Sequence, residues 1–171
     1  LQHFTGRMDN WDPIHTNRLA QDRPVVLVDY RGVGRSSSET PDSMQGMGRD
    51  IIAFIRSLDV KQADIFGFSI GGMVAQQIAL DAPELVRRLI LAGTGPSGGE
   101  GMASFSPNVQ GIFTRLKDKP AERALELFFS PSAASQAAGK AWISRILARQ
   151  TDREPPATPQ TAAAQLVALA M

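Results

Sequence analysis

The chain has no cysteine, which removes disulfide frameworks, thiolate metal sites and cysteine nucleophiles together. It lacks an excess of either charge: 18 basic residues against 17 acidic ones leave a formal net charge of +1. Such a surface has no long-range field to recruit nucleic acid or an anionic membrane, so neither is expected as a partner. Long apolar runs are missing too; Leu89 to Ala92 and Leu166 to Met171 are far too short to cross a bilayer. Histidine is nearly absent, with only His3 and His15 in 171 residues, and no metal site is expected. What remains, at 43% hydrophobic content, is enough for one packed domain or part of one.

The chain begins at Leu1 rather than Met and ends in an apolar, alanine-rich stretch without a cap, so both ends read as truncated. Whether a signal peptide precedes Leu1 stays open.

Several segments have clear periodicity. Val25-Val26-Leu27-Val28, between Pro24 and Asp29, predicts a strand buried on both faces and hence a parallel, helix-covered sheet. Met44, Met47, Ile51, Phe54, Ile55 and Leu58 recur at steps of three or four, which predicts a helix capped by Asp42 or Ser43 with its apolar stripe on that sheet. Residues 63–68 predict a second buried strand, 70–82 a helix stopped by Pro83, and 86–92 a third strand. This alternation is the α/β signature. A glycine-rich connector follows from Gly93 to Gly101. Beyond Ser104, helices are predicted over 107–117, 121–129, 132–150 and 160–171. The expected division is a core over residues 1–104 and an incomplete helical segment over 105–171.

The segment Gly67-Phe68-Ser69-Ile70-Gly71 matches G-x-S-x-G between a predicted strand and a predicted helix. A chance match arises in about one chain in twenty of this length, and the flanking strand and helix remove most such accidents. A serine hydroxyl is a weak nucleophile and must be lifted on a sharp turn to where a base can reach it. Glycines at 67 and 71 leave room for that turn. The helix starting at Ile70 aims its unladdered amides at the same point, which makes Ile70 N–H an oxyanion donor candidate beside the nucleophile candidate Ser69.

With Gln2-His3-Phe4-Thr5-Gly6, Asp9-Asn10-Trp11, Asp29-Tyr30-Arg31-Gly32-Val33-Gly34-Arg35-Ser36 and Pro83 to Leu91 in the same order, the chain resembles the α/β-hydrolase superfamily, close to its small esterase and haloperoxidase-like members. The resemblance covers residues 1–104 and implies a partial α/β-hydrolase fold, followed by the start of a helical cap. It puts the second oxyanion donor at Phe4 N–H, with His3 standing where the family usually has glycine and Gln2 where it usually has histidine. Asp29 to Ser36 invites a catalytic acid at Asp29 or an anion-binding glycine loop, but it lacks a phosphate-binding pattern, and Asp29 to Arg31 reads instead as a turn held by local hydrogen bonds and an ion pair.

The family's triad runs Ser, acid, His in chain order, and no histidine follows Ser69. The resemblance implies that the acid and the histidine lie beyond Met171. His15 reads as a solvated bystander, and His3 as a loop or packing residue. Phe113, Leu116, Leu127, Phe128, Phe129, Trp142 and Ile146 are expected either to line a lid or to form ordinary core.

The implied activity is hydrolysis of a small, mostly apolar ester or related acyl substrate through an acyl-enzyme, without a cofactor. Perhydrolase or haloperoxidase-like chemistry, carbon-carbon bond hydrolysis and a non-catalytic ligand-binding role are the alternatives. The expected partner is a small-molecule substrate, the expected location cytoplasmic, and the oligomeric state open. A free-standing chain of these residues is expected to be inactive, because no base follows Ser69.

Overall fold

The computed structural model describes residues 1–96, 98–101 and 104–170. Ser97 of the predicted connector and Met171 of the last predicted helix lie outside the described residues. Two compact units divide the chain. One comprises Leu1–Asn10, Val26–Ser104 and Glu154–Met171; the other comprises Trp11–Val25 and Phe105–Arg153. The division therefore differs from a single cut near Ser104: the tail from Glu154 groups with the first unit, and an early segment, Trp11–Val25, groups with the second.

In the first unit, strands β1 (Ala63–Phe68) and β2 (Val86–Ala92) pair in parallel, with Ile65 opposite Leu89 and Phe68 opposite Ala92. The third of three helices introduced here joins them: α1 is Pro13–Ala20, α2 is Met44–Ser57 and α3 is Ile70–Asp81. Helix α3 lies on both strands, and α2 packs on α3. Met47, Val74 and Ile78 are fully buried between them, together with Ile51 and Ile55. Each such side chain contributes about 1.5–3 kcal/mol by leaving water. Ser43 caps α2 by accepting the Gly46 N–H at 3.2 Å, as its side-chain oxygen must to satisfy a first-turn amide.

Three expectations need correction. Residues 24–30 form no hydrogen-bonded strand, and Val26 and Leu27 are exposed. An extended segment becomes a strand only when a neighbour accepts its amides, and among the described residues none does so here. The stripe of α2 rests on α3 rather than on the sheet; Ile52 joins it, while Leu58, just past the helix end, is 38% exposed. The sheet is covered by α3 on one side but is not buried throughout: Phe66, Leu89, Ile90 and Leu91 are exposed.

The second unit contains α1, α4 (Pro107–Arg115), α5 (Pro120–Phe128) and α6 (Ala133–Ile146). Ile112 and Leu116 are buried, and Phe128 and Phe129 pack on Trp142 with ring centroids 6.4 and 5.8 Å apart. Asp12 caps α1 and is paired with Arg145 at 2.6 Å. Helix α7 (Pro159–Ala170) returns to the first unit and places Ala168 in its core. No helix among the described residues is long and apolar enough to cross a membrane.

Candidate active site

Ser69 stands between β1 and α3 with φ 56° and ψ −124°, a conformation that L-residues with a side chain rarely adopt. Holding it there costs on the order of 1–3 kcal/mol, so the surrounding bonds must impose it. They do so from both sides. Ser69 N–H donates to Ala92 O of β2 at 3.0 Å, and Ser69 O accepts the Gly72 N–H at 2.8 Å. Although Ser69 occupies the cap position of α3, its side chain makes no capping hydrogen bond.

The two flanking glycines are needed for different reasons. A Cβ on Gly67 would sit 2.6 Å from Gly72 Cα, so a side chain there would strike the turn itself. A Cβ on Gly71 would instead lie 2.6 Å from Leu1 C and 2.7 Å from Gln2 O. The first turn of α3 is thus pressed against the backbone of the chain's opening residues. Leu1 is held in that place because successive residues of a strand turn their backbone groups to alternate sides. Ser69 faces β2, whereas Phe68 N–H donates to Leu1 O at 3.0 Å and Phe66 O accepts from Leu1 N at 2.6 Å.

The loop that follows is tightly bonded. Gly6 N–H closes a turn onto His3 O at 2.8 Å, and Thr5 takes a positive φ of 57°. The Phe4 carbonyl accepts from Thr5 Oγ1 at 2.7 Å and pairs with His3 Nδ1 at 2.9 Å. Because a carbonyl can only accept, that pairing assigns the proton of a neutral His3 to Nδ1. Burial pushes the His3 pKa below its ordinary value, with the bond to Phe4 opposing, and the ring meets Phe68 edge-on at 5.7 Å. Thr5 N–H donates to Gln165 Oε1 at 2.7 Å. Ile70 is buried and Phe4 packs against the core. The predicted site residues Ser69, Ile70, Gly67 and Gly71 therefore share one turn, and the loop carrying Phe4 runs on from the residues touching Gly71.

A parallel β-α-β unit, a strained serine at its strand-to-helix turn and a close-packed loop beside it now stand together. The family model described as "alpha/beta hydrolase fold" matches residues 4–139. The chain belongs to the α/β-hydrolase fold family. It is similar to a solved α/β-hydrolase fold protein from Chitinophaga pinensis, with 37% identity and a TM-score of 0.90 over 99% of this chain and 61% of that one. Among curated relatives, a pimeloyl-acyl-carrier-protein methyl ester esterase from Pseudoalteromonas atlantica is 28% identical over 80% of this chain and 52% of its own. A 3-oxoadipate enol-lactonase 2 from Acinetobacter baylyi is 36% identical over 46% of this chain and 30% of its own. The chain thus spans between about a third and about half of the length of these curated relatives.

In this member of the α/β-hydrolase fold family the Asp29 to Ser36 segment is a bonded turn. Val33 N–H reaches Tyr30 O at 2.9 Å and Ser36 N–H reaches Val33 O at 3.0 Å, while Ser36 Oγ donates to Asp29 O at 3.2 Å. The ion pair joins Arg31 to Asp50 at 3.0 Å and leaves Asp29 out. Asp29 Oδ1 accepts the Met8 N–H at 2.6 Å, and its buried Oδ2 has no partner. Burial above all, with the nearby Glu154 and Asp9 carboxylates, holds the Asp29 pKa above its ordinary value against the Met8 bond. Glu154 is itself 6% exposed; its Oε2 accepts the Arg35 N–H at 2.6 Å, and its own N–H donates to Asp9 Oδ2 at 2.7 Å. Among the described residues, no three His, Cys, Asp or Glu side chains are grouped as a metal site.

Sequence reasoning missed Gln165 and Glu154. Their partners lie 160 and 119 residues earlier in the chain. The one available signal was a glutamine inside the otherwise apolar run Ala162 to Ala170.

Proposed function

We propose that the full-length protein hydrolyses a small, mostly apolar ester or related acyl substrate through an acyl-Ser69 intermediate. The observation that carries this reading is the conformation of Ser69: a strained backbone, fixed at both peptide groups, with a hydroxyl left out of helix capping. Structures that hold strain of this kind usually use it. The hydroxyl oxygen attacks the acyl carbon, its proton passes to a base, and the alcohol leaves as the acyl-serine forms. The amides of Ile70 and Phe4 are the donors for the developing oxyanion, an interaction that grows only as charge moves onto the carbonyl oxygen. The ester and lactone names of the relatives support an acyl substrate. No cofactor enters any step.

These 171 residues hold no histidine after Ser69, and His3 Nδ1 is committed to Phe4 O, so the reading requires a base from outside them. The same observation favours a second reading, a non-catalytic ligand-binding member of the family. Turnover of an aryl ester by the full-length protein and by its Ser69→Ala variant tests both. A drop to the uncatalysed rate in a variant with an unchanged melting temperature supports the hydrolase. Activity that survives the substitution removes Ser69 from the mechanism, and an inactive but folded parent protein favours the binding role.

A further inference from the structure

Gln165 is wholly buried on α7, yet only half of its amide is used. Its Oε1 accepts the Thr5 N–H at 2.7 Å, and its Nε2 has no partner. A buried amide with an unpaired donor is costly, and an apolar residue at this helix position would avoid that cost. The retained half acts at a particular place. Thr5 holds a positive φ, and the peptide joining it to Phe4 has its carbonyl bonded to His3 Nδ1 and Thr5 Oγ1. The Gln165 bond ties this loop to a residue 160 positions along the chain, beside the local bonds among residues 2–6.

We propose that Gln165 is a positioning residue: through the Thr5 N–H it fixes the loop so that the Phe4 amide stands where an acyl oxyanion develops opposite Ile70. The assignment rests on the Ser69 hydrolase reading. Losing the tie lets the loop shift relative to the elbow. A misplacement of about 1 Å in a catalytic group costs up to roughly 100-fold in rate. Because an oxyanion donor acts on the transition state, the loss falls on kcat and not on KM.

The test uses the full-length protein with an aryl ester, comparing Gln165→Met, which removes the acceptor, with Gln165→Glu, which keeps it. The expected result is a fall in kcat of about 10-fold to 100-fold for Gln165→Met with KM within about twofold, and a substantial recovery of kcat in Gln165→Glu. If Gln165→Met does not fold, Gln165→Asn decides, since it keeps the amide but withdraws the oxygen by one methylene. An unchanged kcat in the folded acceptor-lacking variant overturns the assignment, and so does a loss confined to KM or a Gln165→Glu variant no better than Gln165→Met. Each of those results leaves the Ser69 reading intact provided the parent's turnover is abolished by Ser69→Ala. A parent without Ser69-dependent turnover overturns both.

Discussion

Replacing Ser69 by glycine removes the one side chain that makes φ 56°, ψ −124° unfavourable, while leaving the bonds to Ala92 O and from Gly72 N–H in place. Relief of about 1–3 kcal/mol of strain exceeds the extra freedom, about 0.4–1 kcal/mol, that glycine gives the unfolded chain. Ser69→Gly is therefore expected to be more stable by about 1 kcal/mol and inactive, which chemical denaturation and an ester assay check together. A second residue tests the electrostatics. The Asp29 carboxyl holds its proton more tightly folded than unfolded, because burial and the Glu154 and Asp9 charges disfavour its ionised form. The folded state is thus favoured at low pH, and this contribution is lost as pH rises from the ordinary value of 3.8 through the raised one. Asp29→Asn keeps an oxygen for the Met8 N–H and carries no charge. At pH 7 it should raise the melting temperature by about 2–4 °C for each kcal/mol recovered, with the gain shrinking as pH is lowered toward 4 in a calorimetric series.

At the scale of elements, helices and strands are set by different information. The stripe of α2 and its cap were readable because a helix satisfies its own backbone and needs only one apolar face and a first-turn acceptor. Strands β1 and β2 were readable from their apolar runs and flanking turn residues, but Val25 to Val28 had the same texture and is unpaired. A strand depends on a neighbour that local sequence does not name. The packing partner of α2 was misread for a similar reason: a stripe shows that a face is buried, not what covers it. Met47 lies fully buried where α2 meets α3. Met47→Ala should cost about 2–5 kcal/mol by deleting those contacts, a loss visible as a lower denaturation midpoint at an unchanged slope.

At the scale of the whole molecule, the turn that carries Gly67, Ser69, Ile70 and Gly71 was legible, and the long-range ties from Gln165 and Glu154 were not. The elbow is a local motif whose glycines and strand-helix context can be checked along the chain. Gln165 and Glu154 reach the loops they hold only after the chain has folded back across more than a hundred residues, so their polarity in apolar or loop surroundings carried no direction. Apolar exposure follows from the same architecture. Val26, Leu27, Phe66, Ile90 and Leu91 are all more than a third exposed, along an extended segment and a two-stranded sheet. Such surface is a template for association. The 171-residue polypeptide in isolation is expected to self-associate with rising concentration in sedimentation experiments, and Ile90→Lys is expected to reduce that tendency without changing the helix content.

The central claim is that Ser69 is an activated nucleophile. It is tested most directly by treating the full-length protein with a fluorophosphonate and locating the modified residue by peptide mass spectrometry. The account predicts a single adduct on the peptide containing Ser69, absent from the Ser69→Ala variant. A folded protein that remains unmodified, or is modified elsewhere, would contradict it.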